Sequence, residues 1–136
     1  MSRSILSILV SGVVADTSAW IDFFAGRDTP ALDAALAEAA VVLPPIVIAE
    51  LISGARRRRD RAAIVDLLRE LPLHETPLEH WFRVGELRLR LRAKGLSVST
   101  PDAHVAQCAL DRDALLLSND RVFVKVAALT DLRLAH

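Results

Sequence analysis

The feature that most constrains this chain is an alternation of short, β-branched apolar runs with longer segments of helical periodicity. Residues 13–16 (VVAD) read as a strand, 17–25 as a helix closed by Gly26, and 30–39 as a second helix with Leu32 and Leu36 one turn apart. A strand follows at 41–43, then a helix at 45–54 with Pro45 in its first turn and Gly54 at its end. Helix 60–71 stops at Pro72, residues 73–75 allow a short edge strand, and Thr76-Pro77-Leu78-Glu79 carries a capping-box pattern that opens a helix running to Lys94. Inside that helix ELRLRLR alternates with period two, yet Trp81, Val84, Leu87 and Leu91 recur at helical spacing and no turn signal interrupts them. Residues 99–112 form a helix with Pro101 in its first turn, 115–117 a buried strand, 120–128 a helix and 132–134 a last strand. Parallel strands need crossover connections, usually helices, so the expected architecture is α/β in three layers, α/β/α, with a central parallel sheet.

A length of 136 residues suits one domain with one core, and no internal boundary is visible. Arg3, the apolar stretch 5–10 and small Ala15 imitate a secretory signal, but cleavage after Ala15 would remove the first strand. Residues 1–12 therefore read as an N-terminal extension or an upstream start, and residues 13–136 as the single domain. No run of about 18 uninterrupted apolar residues exists, so no membrane span is expected. The single cysteine, Cys108, excludes an internal disulfide and a thiolate cluster; it fits a reducing cytoplasm and a place in the core.

The formal net charge is zero, so no global field draws the chain to nucleic acid or anionic lipid. The acids are nevertheless placed selectively. Asp16 is the only formal charge between Ser4 and Ile21, Glu50 the only one between Glu38 and Arg56, and Asp102 the only one between Lys94 and Asp111; Asp120 follows the buried run LLLSN. Each stands in an apolar context just after a strand end or within the first turns of a helix. Taken singly, Asp102 or Asp120 reads as a helix cap contributing about 1 kcal/mol. Glu50 falls mid-helix beside Val47 and Leu51, where an apolar residue would be the ordinary choice. In a parallel sheet the carboxyl ends of the strands share one side, so the fold can gather Asp16, Glu50, Asp102 and Asp120 around one crevice.

Carboxylates brought that close repel unless a cation neutralises them. Oxygen ligands without His or Cys favour Mg²⁺ or Mn²⁺ over Zn²⁺, and carboxylate-held ions of this kind serve phosphoryl chemistry. A haloacid-dehalogenase-type phosphatase would need a second Asp two residues after the first, where Ser18 stands; a response-regulator receiver would need an acidic pair near its first strand, where only Asp16 is present. His74, His80 and His136 lack metal-ligand spacing and read as surface or packing residues.

The stretches VVADTSAWIDFF, PPIVIAEL, STPDAHVAQCAL and LLLSNDRVF resemble the four acidic motifs of PIN-domain nucleases, most closely the VapC-type toxins of bacterial toxin–antitoxin pairs. The likeness runs from Val13 to about Leu134, with the motifs in family order. Carried over by position, it implies a metal-binding quartet of Asp16, Glu50, Asp102 and Asp120, with Ser118 matching the hydroxyl residue two places before the last acid. It further implies a cytoplasmic Mg²⁺- or Mn²⁺-dependent ribonuclease, dimeric and inhibited by a small cognate antitoxin. Two departures stand out: the N-terminal extension, and His104 after the third acid, where an aliphatic residue is common and a histidine would tune access to the site.

Around that quartet, Thr17 and Ser18 are expected chiefly to cap the first helix, with hydrogen bonds to neighbouring carboxylates as the other role. The run Arg56 to Arg59, with Arg61, can follow an RNA backbone, form a solvated turn or dock the antitoxin. Trp20, Phe23, Phe24, Trp81 and Phe82 supply more apolar surface than one small core is expected to hide, which points to a homodimer. Competing readings are a catalytically silent RNA- or protein-binding domain and a nuclease acting on DNA, since carboxylate–metal chemistry does not itself distinguish a 2′-hydroxyl.

Overall fold

The computed structural model describes residues 12–135; residues 1–11, which hold nearly all of the expected N-terminal extension, and His136 lie outside the described residues. Four strands form one sheet in the order β2-β1-β3-β4: β1 (Val13–Ala15), β2 (Val41–Val42), β3 (Leu115–Leu117) and β4 (Arg133–Leu134). All pairings are parallel, with Val13 opposite Val41 and Leu115, and Leu115 opposite Arg133. Seven helices make the connections among the described residues: α1 (Thr17–Phe24), α2 (Pro30–Ala37), α3 (Pro45–Gly54), α4 (Arg58–Leu68), α5 (Leu78–Ala93), α6 (Thr100–Arg112) and α7 (Val122–Leu129). This is the three-layer α/β/α arrangement expected from the alternation of patterns.

The central strands are buried on both faces, which explains why VVA and LLL show no alternation. Val14, Ala15 and Leu116 are fully enclosed, with Trp20 of α1, Val47 of α3, Leu87 of α5 and Phe123 of α7 packed around them. Burying each large side chain of this kind contributes about 1.5–3 kcal/mol. The sheet also reaches one residue into the segment assigned to the extension, because the Gly12 carbonyl accepts from Leu115 N at 3.2 Å. Gly12 has φ +80°, and a Cβ there would lie 3.1 Å from the Ala40 carbonyl oxygen, so the position needs glycine on two counts.

Several local expectations change. The 73–75 edge strand reduces to one isolated bridge between Leu43 and Leu73, flanked by hydrogen bonds from Leu43 N to Pro72 O and from His74 N to Leu43 O. The capping box at Thr76 does not form: α5 begins at Leu78 with Pro77 at its cap and no side-chain capping bond. The helix expected from Asp60 begins two residues earlier, at Arg58, and that expected from Asp120 begins at Val122. Trp20 is core rather than excess surface, and Phe23 and Phe24 pack partly against it; Trp81 and Phe82 remain exposed.

Candidate active site

The strand order places a reversal beside β1. From β1 the chain crosses to β2 on one side and returns as β3 on the other, so helices diverge at the carboxyl ends of β1 and β3 and leave a crevice there. Asp16 directly follows β1, and Ser118 to Asp120 directly follow β3. Glu50 comes from the middle of α3 and Asp102 from the first turn of α6.

Asp16 is the best-held of the four. It is 6% exposed, caps α1 by accepting from Ala19 N at 3.1 Å, and receives the Ser18 hydroxyl on Oδ1 at 2.7 Å and the Ser118 hydroxyl on Oδ2 at 2.6 Å. The cap of α1 is thus Asp16 itself. Thr17 and Ser18 serve carboxylates instead: Thr17 Oγ1 donates to Glu50 Oε1 at 2.6 Å and so links α1 to α3. Ser118 and Ser18 also order the loop after β3, since Ser118 Oγ accepts from Asp120 N at 2.9 Å and Ser18 Oγ from Asn119 N at 3.0 Å.

Asp102 is released from capping duty because Ser99 caps α6, accepting from Asp102 N at 3.2 Å. Asp120 accepts from Val122 N at 3.0 Å, a short local turn that leaves its second oxygen open to the crevice mouth. Burial pushes the Asp102 carboxyl above its ordinary range; the Ser99 hydroxyl opposes this, and the negative charges of Asp120, Asp16 and Glu50 push it further up. Burial likewise raises Asp16, against the hydrogen bonds from Ser118, Ser18 and Ala19, and the charge of Asp120 adds to the rise. The Asp102 carboxyl thus faces the charges of the other three acids, and Asp16 that of Asp120. Their oxygens are not drawn tightly together: among the described residues the one trio of His, Cys or acidic side chains with ligand atoms within 4.8 Å of each other is His74, His80 and Cys108. Mutual repulsion and the engagement of Asp16 and Glu50 by hydroxyls account for the wider spacing.

Asp22 and Asn119 escaped the sequence reading. Asn119 Nδ2 donates to Asp22 Oδ2, tying α1 to the loop after β3, and Asp22 also pairs with Arg27 at 2.6 Å. The signal available was a lone acid inside the apolar WIDFF run. Of the two readings of His74 and His80, surface or packing, the structure gives packing: both are buried, and His104 is fully buried between His80 Nε2, 2.8 Å from its Nδ1, and Cys108 Sγ, 3.8 Å from its Nε2. His104 therefore packs inside the α5–α6 region instead of tuning access to the crevice.

Among curated proteins no sequence matches the chain. In solved structures the fold is similar to VapBC2 from Rickettsia felis bound to a DNA fragment from its promoter, at TM-score 0.74 and 22% identity, covering 90% of this chain and 96% of that one. It is also similar to VapBC-5, a member of the VapBC family of toxin–antitoxin systems from Mycobacterium tuberculosis, at TM-score 0.69 and 21% identity over 93% and 98% of the two chains. VapBC-1 from nontypeable Haemophilus influenzae matches at TM-score 0.68 and 20% identity over 90% and 96%. The profile of the PIN domain matches residues 13–129, nearly the whole described chain, and the chain belongs to the PIN domain family.

Proposed function

We propose that this chain is the toxin of a VapC-type toxin–antitoxin pair, a Mg²⁺- or Mn²⁺-dependent endoribonuclease acting in the cytoplasm. The observation that carries the reading is the placement of Asp16 after β1 and Asp120 after β3, joined through Ser118, with Glu50 tied to the same helix start by Thr17 and Asp102 in the first turn of α6. The donor set fits a hard divalent cation: oxygen only and no histidine, with Asp16 and Asp102 raised by burial and, to a lesser degree, by neighbouring carboxylates, a strain that a cation relieves. The four acids would hold the ion, which when bound would polarise a phosphodiester and help generate a nucleophile from water.

The chain's own residues prepare that chemistry. Ser118 and Ser18 fix both oxygens of Asp16, and Thr17 fixes Glu50, so two carboxylates are oriented before any ligand arrives. Asp120 or Glu50, both exposed, is placed to accept a proton from the attacking water. The apolar groove lined by Ile21, Phe24, Leu51 and Ile64, about 580 Å³ and bordered by Glu50, suits a segment of the antitoxin, with Arg56 and Arg57 of the basic run in its lining for an acidic or phosphate-bearing partner. Leu78, Trp81, Phe82 and Leu89 form an exposed apolar stripe on α5, which supports a homodimer.

The test is cleavage of total RNA by the purified chain with Mg²⁺ or Mn²⁺, the ends mapped. The expected products carry a 5′-phosphate and a 3′-hydroxyl, because water and not the ribose 2′-hydroxyl attacks. Products ending in 2′,3′-cyclic phosphate, or equal cleavage in excess chelator, would refute the proposal.

A further inference from the structure

A second cluster of metal-ligating side chains lies outside the crevice quartet. His74 follows the Leu43–Leu73 bridge, His80 sits in the first turn of α5, and Cys108 lies on α6; all three are buried, and their ligand atoms fall within 4.8 Å of one another. His74 is 6% exposed, and its Nδ1 is buried with no hydrogen-bond partner. A buried nitrogen left unsatisfied is costly, so an unpartnered imidazole close to a thiol and a second imidazole calls for a ligand. His80 is oriented as metal-bound imidazoles usually are: its Nδ1 lies 3.2 Å from Asp111 Oδ2, which leaves Nε2 facing inward. Asp111 is itself fixed by Arg83 at 2.9 Å and Gln107 at 2.8 Å.

We propose that His74, His80 and Cys108 form a structural site for a borderline-soft divalent ion, Zn²⁺ by preference, separate from the carboxylate site. Two imidazoles and a thiolate match zinc, whereas the oxygen-only crevice matches Mg²⁺ or Mn²⁺. Zn–N bonds of about 2.0–2.1 Å and a Zn–S bond of about 2.3 Å require the ligand atoms to close in by roughly an ångström, within side-chain rotation. His104 borders the trio, and its Nδ1 gives up the hydrogen bond to His80 Nε2 when that nitrogen turns to the ion. Binding uses the lone pairs of neutral imidazoles and a thiolate; the Cys108 thiol proton is released to solvent, and no electron is transferred. Burial pushes the thiol up to about 12, so the metal-free cysteine is inert and ion binding is what ionises it. The site would staple the 73–74 bridge, α5 and α6 together, one turn and a half behind Asp102 on the same helix.

The test uses the full chain, purified under reducing conditions, stripped with a chelator and titrated with Co²⁺ as a spectroscopic probe. The expected result is thiolate-to-cobalt charge-transfer absorption and the visible bands of tetrahedral Co²⁺, saturating at one equivalent and bleached by Zn²⁺, while Co²⁺ held by the crevice carboxylates adds no thiolate band. Cys108→Ser should abolish the charge-transfer band, His74→Gln should weaken cobalt binding at least tenfold, and Asp102→Asn should leave the spectrum unchanged. Circular dichroism of the metal-free variants checks that they fold; if Cys108→Ser does not, the His74→Gln titration decides. Absence of the band in the parent, its survival in folded Cys108→Ser, or unweakened binding in folded His74→Gln overturns the proposal.

Discussion

Ser118→Ala removes one oxygen that serves two partners, donating to Asp16 Oδ2 at 2.6 Å and accepting from Asp120 N at 2.9 Å. The first bond ends on a carboxylate only 6% exposed, a class that contributes about 1.5–3 kcal/mol, while the second is neutral and contributes about 0.5–1.5 kcal/mol. The Asp120 amide lies in an exposed loop where water can replace the serine, so the Asp16 bond dominates. Ser18 cannot take over, because its hydroxyl already donates to Oδ1 at 2.7 Å. The expected loss is about 2 kcal/mol, which for a chain of this length lowers the melting temperature by about 7 °C.

That loss should depend on pH with a definite sign. The Asp16 carboxyl stands above its ordinary 3.8 in the folded chain, raised by burial and held down in part by Ser118. A raised acid weakens the fold at neutral pH, and the penalty disappears as pH falls through the folded-state value toward 3.8. Removing Ser118 raises the group further, so the gap between parent and variant is widest at neutral pH and narrows in acid. Urea denaturation in chelator at several pH values measures the gap, and the acid limb of the cleavage rate should move to higher pH. A variant within about 0.5 kcal/mol of the parent at neutral pH, or a gap that does not narrow in acid, would refute the reasoning.

Asp102→Asn should abolish RNA cleavage while leaving the metal-free chain as stable as the parent or more so, because it removes one of four mutually repelling charges; melting curves with and without Mg²⁺ beside a cleavage assay check both halves. Asp111→Ala strips partners from buried His80 and Gln107 and from Arg83, and should cost roughly 2–3 kcal/mol in urea denaturation at neutral pH. Phe123→Ala, at a fully buried position of α7, should cost about 3–5 kcal/mol with little effect on the fold at low temperature, read by melting and circular dichroism. Phe82→Glu, on the exposed stripe of α5, should leave melting of the protomer unchanged but shift sedimentation from dimer to monomer.

The sheet was legible because its central strands carry continuous apolar runs and its helices carry Pro and Gly punctuation; Pro30, Pro45 and Pro101 all open helices where expected. The 73–75 strand was not, because one backbone bridge to Leu43 leaves no pattern that separates it from an extended loop. The capping box at Thr76 failed for a local reason: Pro77 fixes the entry to α5 without a side-chain bond, so the Thr76 and Glu79 signature has no helix N-terminus to serve. The positions of the four acids could be inferred from charge isolation, since a lone carboxylate in an apolar run has few structural uses. Thr17, Ser18 and Ser118 could be named from the sequence, but not which carboxylate each serves, because Ser118 reaches Asp16 across 102 positions in sequence. The histidine cluster was invisible for the same reason, its members coming from a loop and two helices with no fixed spacing.

The contrast between Asp111 and the crevice acids bears on what the crevice is for. Asp111 is burdened by desolvation, yet Arg83, Gln107 and His80 outweigh it and hold the carboxyl below its ordinary range. That is how a chain treats an acid whose task is structural: it supplies a guanidinium fork and two further donors. The chain has as many basic groups as acids, 17 of each. Yet among the described residues none of Asp16, Glu50, Asp102 and Asp120 pairs with an arginine or lysine, while Asp22, Asp111 and Asp113 do. Hydroxyl groups and a backbone amide orient the crevice carboxylates without neutralising them, and Asp16 and Asp102 are raised partly by their neighbours. Oriented but uncompensated negative charge destabilises the ligand-free fold and rewards a cation in proportion to that strain. A fixed side-chain cation would relieve the strain permanently and block the site, whereas a diffusible hard ion relieves it and leaves coordination positions open to a phosphate.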